Sequence, residues 1–125
     1  MKRILIIDDE KDFLYFIKRD LELSGAFKVF AATTGRDGID LAIRQKPDII
    51  LLDLLMPVMG GFEVLEALKT NKITTMIPVI MLTAIDNDEA KERALGLYTE
   101  DYIAKPVFIA DLRAKIENVL ARKVP

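Results

Sequence analysis

The 125 residues include no cysteine and no histidine. That excludes a thiolate nucleophile, disulfides, Cys or His zinc sites and a histidine general base, so any metal must be held by oxygen. An excess of positive charge is missing as well: 18 Lys and Arg stand against 20 Asp and Glu, giving a net charge of -2 and a pI near 5.2. Direct nucleic-acid binding is not expected of such a balance. Long hydrophobic runs are absent too. The longest, around Ile49 to Leu52 and Ile77 to Leu82, fall far short of the ~20 residues a membrane helix needs, and Met1-Lys2-Arg3 leads into a short apolar stretch only. The expectation is a protein without membrane association, located in the cytoplasm.

What is present is one domain's worth of chain, enough to bury roughly two-thirds of the surface its unfolded form exposes. Apolar blocks of strand length alternate with segments of helical period, without a Gly, Ser or Pro tract to divide them. Strands are expected near residues 3–7, 27–31, 48–53, 78–83 and 101–105. Between them, Phe13, Ile17 and Leu21 recur at helical spacing, with Gly25 as a C-terminal glycine. Thr34 and Asp37 form a capping-box-like start, followed by Ile39, Ala42 and Ile43 and a stop at Pro47. Phe62, Leu65 and Leu68 mark a third helix after Gly60-Gly61, and Ile109, Leu112, Ile116, Val119 and Leu120 a fifth. A fourth, about residues 87–97, has mainly Ala90, Ala94 and Leu97 to bury and should be the least firmly docked. The pattern fits an α/β, doubly wound parallel sheet of order 2-1-3-4-5 with helices on both faces.

In such a sheet ligands bind at the carboxyl edge. Four of the apolar runs end there on a polar residue: Asp8 and Asp9, Asp53, Thr83 and Lys105. Three crowded carboxylates repel one another, and besides protonation the simplest relief is a hard divalent cation with oxygen ligands, Mg²⁺ foremost. Each residue also has a plainer reading. Asp8-Asp9 can be a helix cap or turn, Thr83 an ordinary strand threonine, and Lys105-Pro106 a solvated strand end. Four such endings in one chain favour a site.

Together, Asp8-Asp9-Glu10, the stretch from Asp53 through Met56-Pro57 to Gly60-Gly61, Leu82-Thr83-Ala84, and Asp101-Tyr102-Ile103-Ala104-Lys105-Pro106 resemble the receiver domains of two-component response regulators. The resemblance covers essentially the whole chain. It implies a flavodoxin-like (βα)5 three-layer sandwich that accepts a phosphoryl group on Asp53 from a histidine kinase or histidine phosphotransfer protein. It further implies Mg²⁺ held by Asp8, Asp9, Asp53 and the backbone carbonyl of Leu55. Lys105 and Thr83 would contact the phosphoryl oxygens, and the Lys105–Pro106 peptide would be cis. Ala84 would leave the phosphoryl group room. Thr83 and Tyr102 would form the switch that relays phosphorylation to the face made by the fourth helix, the fifth strand and the fifth helix. Such a domain assists its own phosphorylation and dephosphorylation without turning over an independent substrate.

Departures from the family pattern are Gly60, where Asp or Asn is more usual, and Tyr98-Thr99, where Gly-Ala usually follows the fourth helix. Lys91, Asp101, Asp111 and Lys115 are placed like charges that join two receivers, against the alternative of a solvated helix surface. Because the chain closes soon after the fifth helix, a single receiver domain over residues 1–125 without an effector domain is expected, either free-standing or cut from a longer regulator. A hydrolase resembling the haloacid dehalogenases would need a second Asp where Leu55 stands. A nucleotide or flavin binder would need a glycine-rich phosphate loop, which the chain lacks. An interaction module with this fold and no phosphorylation stays open.

Overall fold

The computed structural model describes residues 1–83, Thr83 by its backbone only, and residues 99–122. Its strands are β1 Lys2–Ile7, β2 Phe27–Ala32, β3 Ile49–Asp53, β4 Val79–Thr83 and β5 Asp101–Ala104. All pair in parallel, in the order β2-β1-β3-β4-β5. Each strand begins and ends within about one residue of its expected place, and the order is the expected doubly wound, flavodoxin-like one. Helices α1 Lys11–Glu22, α2 Gly35–Gln45 and α3 Gly61–Thr70 follow the first three strands, and a C-terminal helix, Ile109–Arg122, follows β5. The expected fourth helix at 87–97, with Ala84, Lys91 and Tyr98, lies outside the described residues, as do residues 123–125. Among the described residues no helix is long and apolar enough to cross a membrane.

The strands read as unbroken apolar runs because both faces of the sheet are covered. On one face Ile4, Ile6 and Leu51 meet Leu14, Ile17 and Leu21 of α1 and Leu112, Ile116 and Val119 of the C-terminal helix. On the other, Leu5, Ile7 and Leu52 meet Ala42 of α2 and Val64, Leu65 and Leu68 of α3. Each fully buried aliphatic side chain of this kind contributes about 1.5–3 kcal/mol.

Two stripes differ from the expected ones. In α1 the inward row is Leu14, Ile17 and Leu21, while Phe13 lies half-buried at its margin, one residue off the centre of the face. In α2 the inward row is Gly35, Gly38 and Ala42, with Ile39 and Ile43 half-buried on its flanks. A Cβ on Gly38 would come within 2.5 Å of Ile7 Cδ1, so the absent side chain is what lets α2 lie close to β1. The helix signals are otherwise read correctly. Thr34 Oγ1 accepts the Asp37 N–H at 3.1 Å as the cap of α2, and Lys46, in the left-handed region at φ 47, ends that helix before Pro47. Gly25 does adopt a positive φ of 78, but in the turn two residues beyond Leu23, the C-cap of α1.

Candidate functional site

Because β1, β3, β4 and β5 are consecutive neighbours, their carboxyl ends share one edge. Asp8 follows β1 directly, its backbone N–H donating to Ala32 O at 3.0 Å, and its side chain is fully buried. Asp53 is the last residue of β3 and is 3% exposed. Asp9, adjacent to Asp8, is exposed. One carboxylate oxygen from each of the three lies within 4.8 Å of the others. Thr83 ends β4 opposite Ala104.

Lys105 comes one residue after β5, and its peptide bond to Pro106 is cis. Its ammonium lies 2.8 Å from Asp8 Oδ2, 3.8 Å from Asp53 Oδ1 and 2.7 Å from Glu10 Oε1. The ring of Phe13 backs it, 4.7 Å from Nζ to the centroid. The loop from Leu54 to Gly60 joins β3 to α3 beside Asp53. Leu55 N–H donates to Asp53 Oδ1 at 3.4 Å, and the Leu55 side chain is 54% exposed. Gly61 opens α3 against the end of β3: a Cβ there would lie 2.4 Å from Asp53 O.

Charge is out of balance in this edge. Burial first, and then the negative charge of Asp8, push the Asp53 carboxyl up from 3.8 to about 7, against the pull of Lys105. Burial likewise raises Asp8, although Lys105 and the Glu10 N–H work the other way. For Lys105 burial disfavours the ammonium, but the contacts with Asp8 and Glu10 outweigh it and the group is raised. Asp8 Oδ2 is buried and has the Lys105 ammonium as its partner at 2.8 Å. Two buried carboxylates and a third that is exposed, with one oxygen of each within 4.8 Å of the others, suit a hard divalent cation with oxygen ligands.

Tyr102 does not join the cluster. It lies half-buried in β5 opposite Met81, packed toward the α3 side of the sheet. Of the charges expected at a dimer face, Asp101 and Lys115 pair with each other at 3.2 Å, Asp111 is exposed, and Lys91 lies outside the described residues. Glu10 and Phe13, which lie against the Lys105 ammonium, were given no part in the site by the sequence. Glu10 had only its position after Asp8-Asp9 as a signal, and Phe13 was assigned to the core stripe.

Fold and site together define an α/β domain with three carboxylates and an ammonium gathered at the carboxyl edge of its sheet. The chain belongs to the response regulator receiver domain family, whose model matches residues 4–117. It is 36% identical over 121 residues to the alkaline phosphatase synthesis transcriptional regulatory protein PhoP of Bacillus subtilis, covering 97% of this chain and 49% of that protein. Protein PilH of Pseudomonas aeruginosa is 38% identical over 121 residues, covering 97% of this chain and 99% of PilH. The receiver domain of the Francisella response regulator 1452 superposes with a TM-score of 0.91 at 30% identity, over 99% of this chain and 100% of that one. The chain spans about half the length of the transcriptional regulators it matches. Receiver domains are signalling domains of two-component systems.

Proposed function

We propose that this domain is a phosphorylation-dependent switch that takes a phosphoryl group on Asp53 from a histidine kinase or a histidine phosphotransfer protein. The observation that carries the reading is a buried strand-end carboxylate, Asp53, beside Asp8 and Asp9 and 3.8 Å from the Lys105 ammonium. An Asp53 oxygen bonds to phosphorus while the bond from phosphorus to the donor imidazole nitrogen breaks, the electron pair leaving with the imidazole. Such transfers depend on placement and on neutralising the phosphoryl oxygens more than on covalent assistance. Lys105 supplies one fixed positive charge. Mg²⁺, when held by Asp8, Asp9, Asp53 and the Leu55 carbonyl, supplies a second and favours the ionised form of Asp53.

The Thr83 hydroxyl donates to a phosphoryl oxygen, and Tyr102 relays the state to the face that β5 and the C-terminal helix share with the segment between β4 and β5. The half-buried position of Tyr102 supports this role, since the ring has both an apolar and a solvent side to choose between. The domain works on itself, turning over no independent substrate, and acts in the cytoplasm. A homodimer through Lys91, Asp101, Asp111 and Lys115 would have to share or open the internal Asp101–Lys115 pair. Incoming donors have a groove beside Lys105, lined by Phe13, Phe16, Ile17, Pro106 and Phe108, on which to rest an apolar surface.

Intact mass after incubation with a small phosphodonor tests the reading. A mass gain of one phosphoryl group that requires Mg²⁺ and disappears in Asp53→Asn is the expected result. No gain in the wild type would leave an interaction module that carries the fold alone.

A further inference from the structure

Glu10 occupies the N-cap of α1, where a short side chain such as Asp or Ser ordinarily accepts a backbone N–H from the first turn. It makes no such cap bond; its Oε1 lies instead 2.7 Å from Lys105 Nζ. The backbone of Glu10 is pinned as well, its N–H donating to Asp8 Oδ1 at 2.9 Å. An ammonium has three donor positions, and here three carboxylates face it. Glu10 and Asp8 hold it at 2.7 and 2.8 Å, while Asp53, the group whose chemistry it serves in the proposed function, is the farthest at 3.8 Å. The ring of Phe13, 4.7 Å from Nζ, backs the ammonium.

We infer that Glu10 is a positioning residue: it draws Lys105 toward the start of α1 and competes with a phosphoryl group on Asp53 for the same ammonium. The inference rests on the phosphoacceptor reading of Asp53. Loading the site requires Lys105 to loosen its contact with Glu10 and turn to the phosphoryl oxygens, so the Glu10 contact lowers the rate of loading. With 61% of its side chain exposed, Glu10 is well hydrated, and the effect belongs to the modest range of partly exposed ion pairs.

The test uses acetyl phosphate and Mg²⁺ with the intact chain, following the rate of mass gain. In this reaction an Asp53 oxygen bonds to phosphorus as the phosphorus–oxygen bond to the acetyl group breaks, and acetate departs with the electron pair. Glu10→Gln is expected to load about 3-fold faster than wild type, the gain shrinking as salt screens the wild-type pair. Glu10→Ser, with a better capping residue at the same place, should do the same and guards against a folding artefact. Asp12→Asn removes a negative charge from the first turn of the same helix that forms no ion pair with Lys105, and its rate should stay at the wild-type value. In a Lys105→Gln background, followed over longer times, Glu10→Gln should change nothing.

Equal rates in wild type and both Glu10 variants overturn the inference, as does an equal gain in Asp12→Asn or a gain that survives in Lys105→Gln. In each of those cases wild-type loading still stands. A wild type that takes up no phosphoryl group overturns the inference together with the function on which it rests.

Discussion

At the amino end of the sheet, Arg3 N–H donates to Asp48 Oδ2 at 2.8 Å and Asp48 N–H to Arg3 O at 2.8 Å, tying the start of β1 to the approach of β3. The Arg3 guanidinium donates to Gln45 Oε1 at 2.5 Å and stacks 5.0 Å from the Phe30 ring centroid. At the carboxyl end of the same two strands, Asp8 and Asp53 are buried close together and share one lysine, which is nearer to Glu10 than to Asp53. The first arrangement joins donors to acceptors and adds to stability. The second concentrates like charge in a dry edge, which costs stability in the free protein and leaves binding capacity for a cation and a phosphoryl group. One sheet thus separates its stabilising polar contacts from its chemical ones by a strand length.

The largest expected perturbation of this contrast is Gly61→Ala. Its Cβ would meet Asp53 O at 2.4 Å and Leu54 Cα at 2.7 Å, both backbone atoms, so β3 or α3 must shift. A loss of about 3 kcal/mol in denaturant unfolding is expected, together with slower loading of Asp53. Unchanged stability would mean that α3 does not start hard against the strand end.

Next comes Asp53→Asn, measured without divalent cations. The folded Asp53 carboxyl keeps its proton to about pH 7, while the unfolded one releases it near 3.8. Between those values the folded state binds more protons, so stability falls as pH rises, and the penalty is complete above about pH 7. The variant lacks that penalty. It should exceed wild type by on the order of 2 kcal/mol near pH 8, with the difference fading toward pH 4. Added Mg²⁺ should stabilise the wild type more than the variant. A pH-independent difference would place the origin in packing instead of charge.

The smallest is at the other end. Asp48→Ala leaves the Arg3 N–H without its carboxylate and should cost about 1 kcal/mol while leaving the rate of Asp53 loading untouched. A change in loading would show that the two ends of the sheet are coupled.

Much of the fold was legible because its signals are local or periodic. Unalternating runs such as IILLD at β3 follow from burial on both faces, and Thr34 caps α2 through a bond to a residue three positions on. The four polar strand ends could be read because a parallel sheet gathers its carboxyl ends at one edge. The helix faces were less legible. Counting bulky residues chose Phe13 and Ile39, whereas the packed faces centre on Leu14 and on Gly35 and Gly38. A helix pressed against a strand selects for absent volume, and a search for apolar bulk passes over glycine.

The amino-acid sequence by itself therefore determined the order of elements, the sheet in which they pair, and the acidic, hydroxyl and ammonium groups placed at the ends of its strands. These follow from periodicity, chain connectivity and the handedness of parallel crossovers. Only the tertiary structure decided that Asp8 is buried while the adjacent Asp9 is exposed, that Lys105 reaches back 95 positions to Glu10, and that Asp101 turns to Lys115 within the chain. Those outcomes depend on distances of a few ångströms between segments remote in sequence, and Coulomb and desolvation energies change steeply over that range.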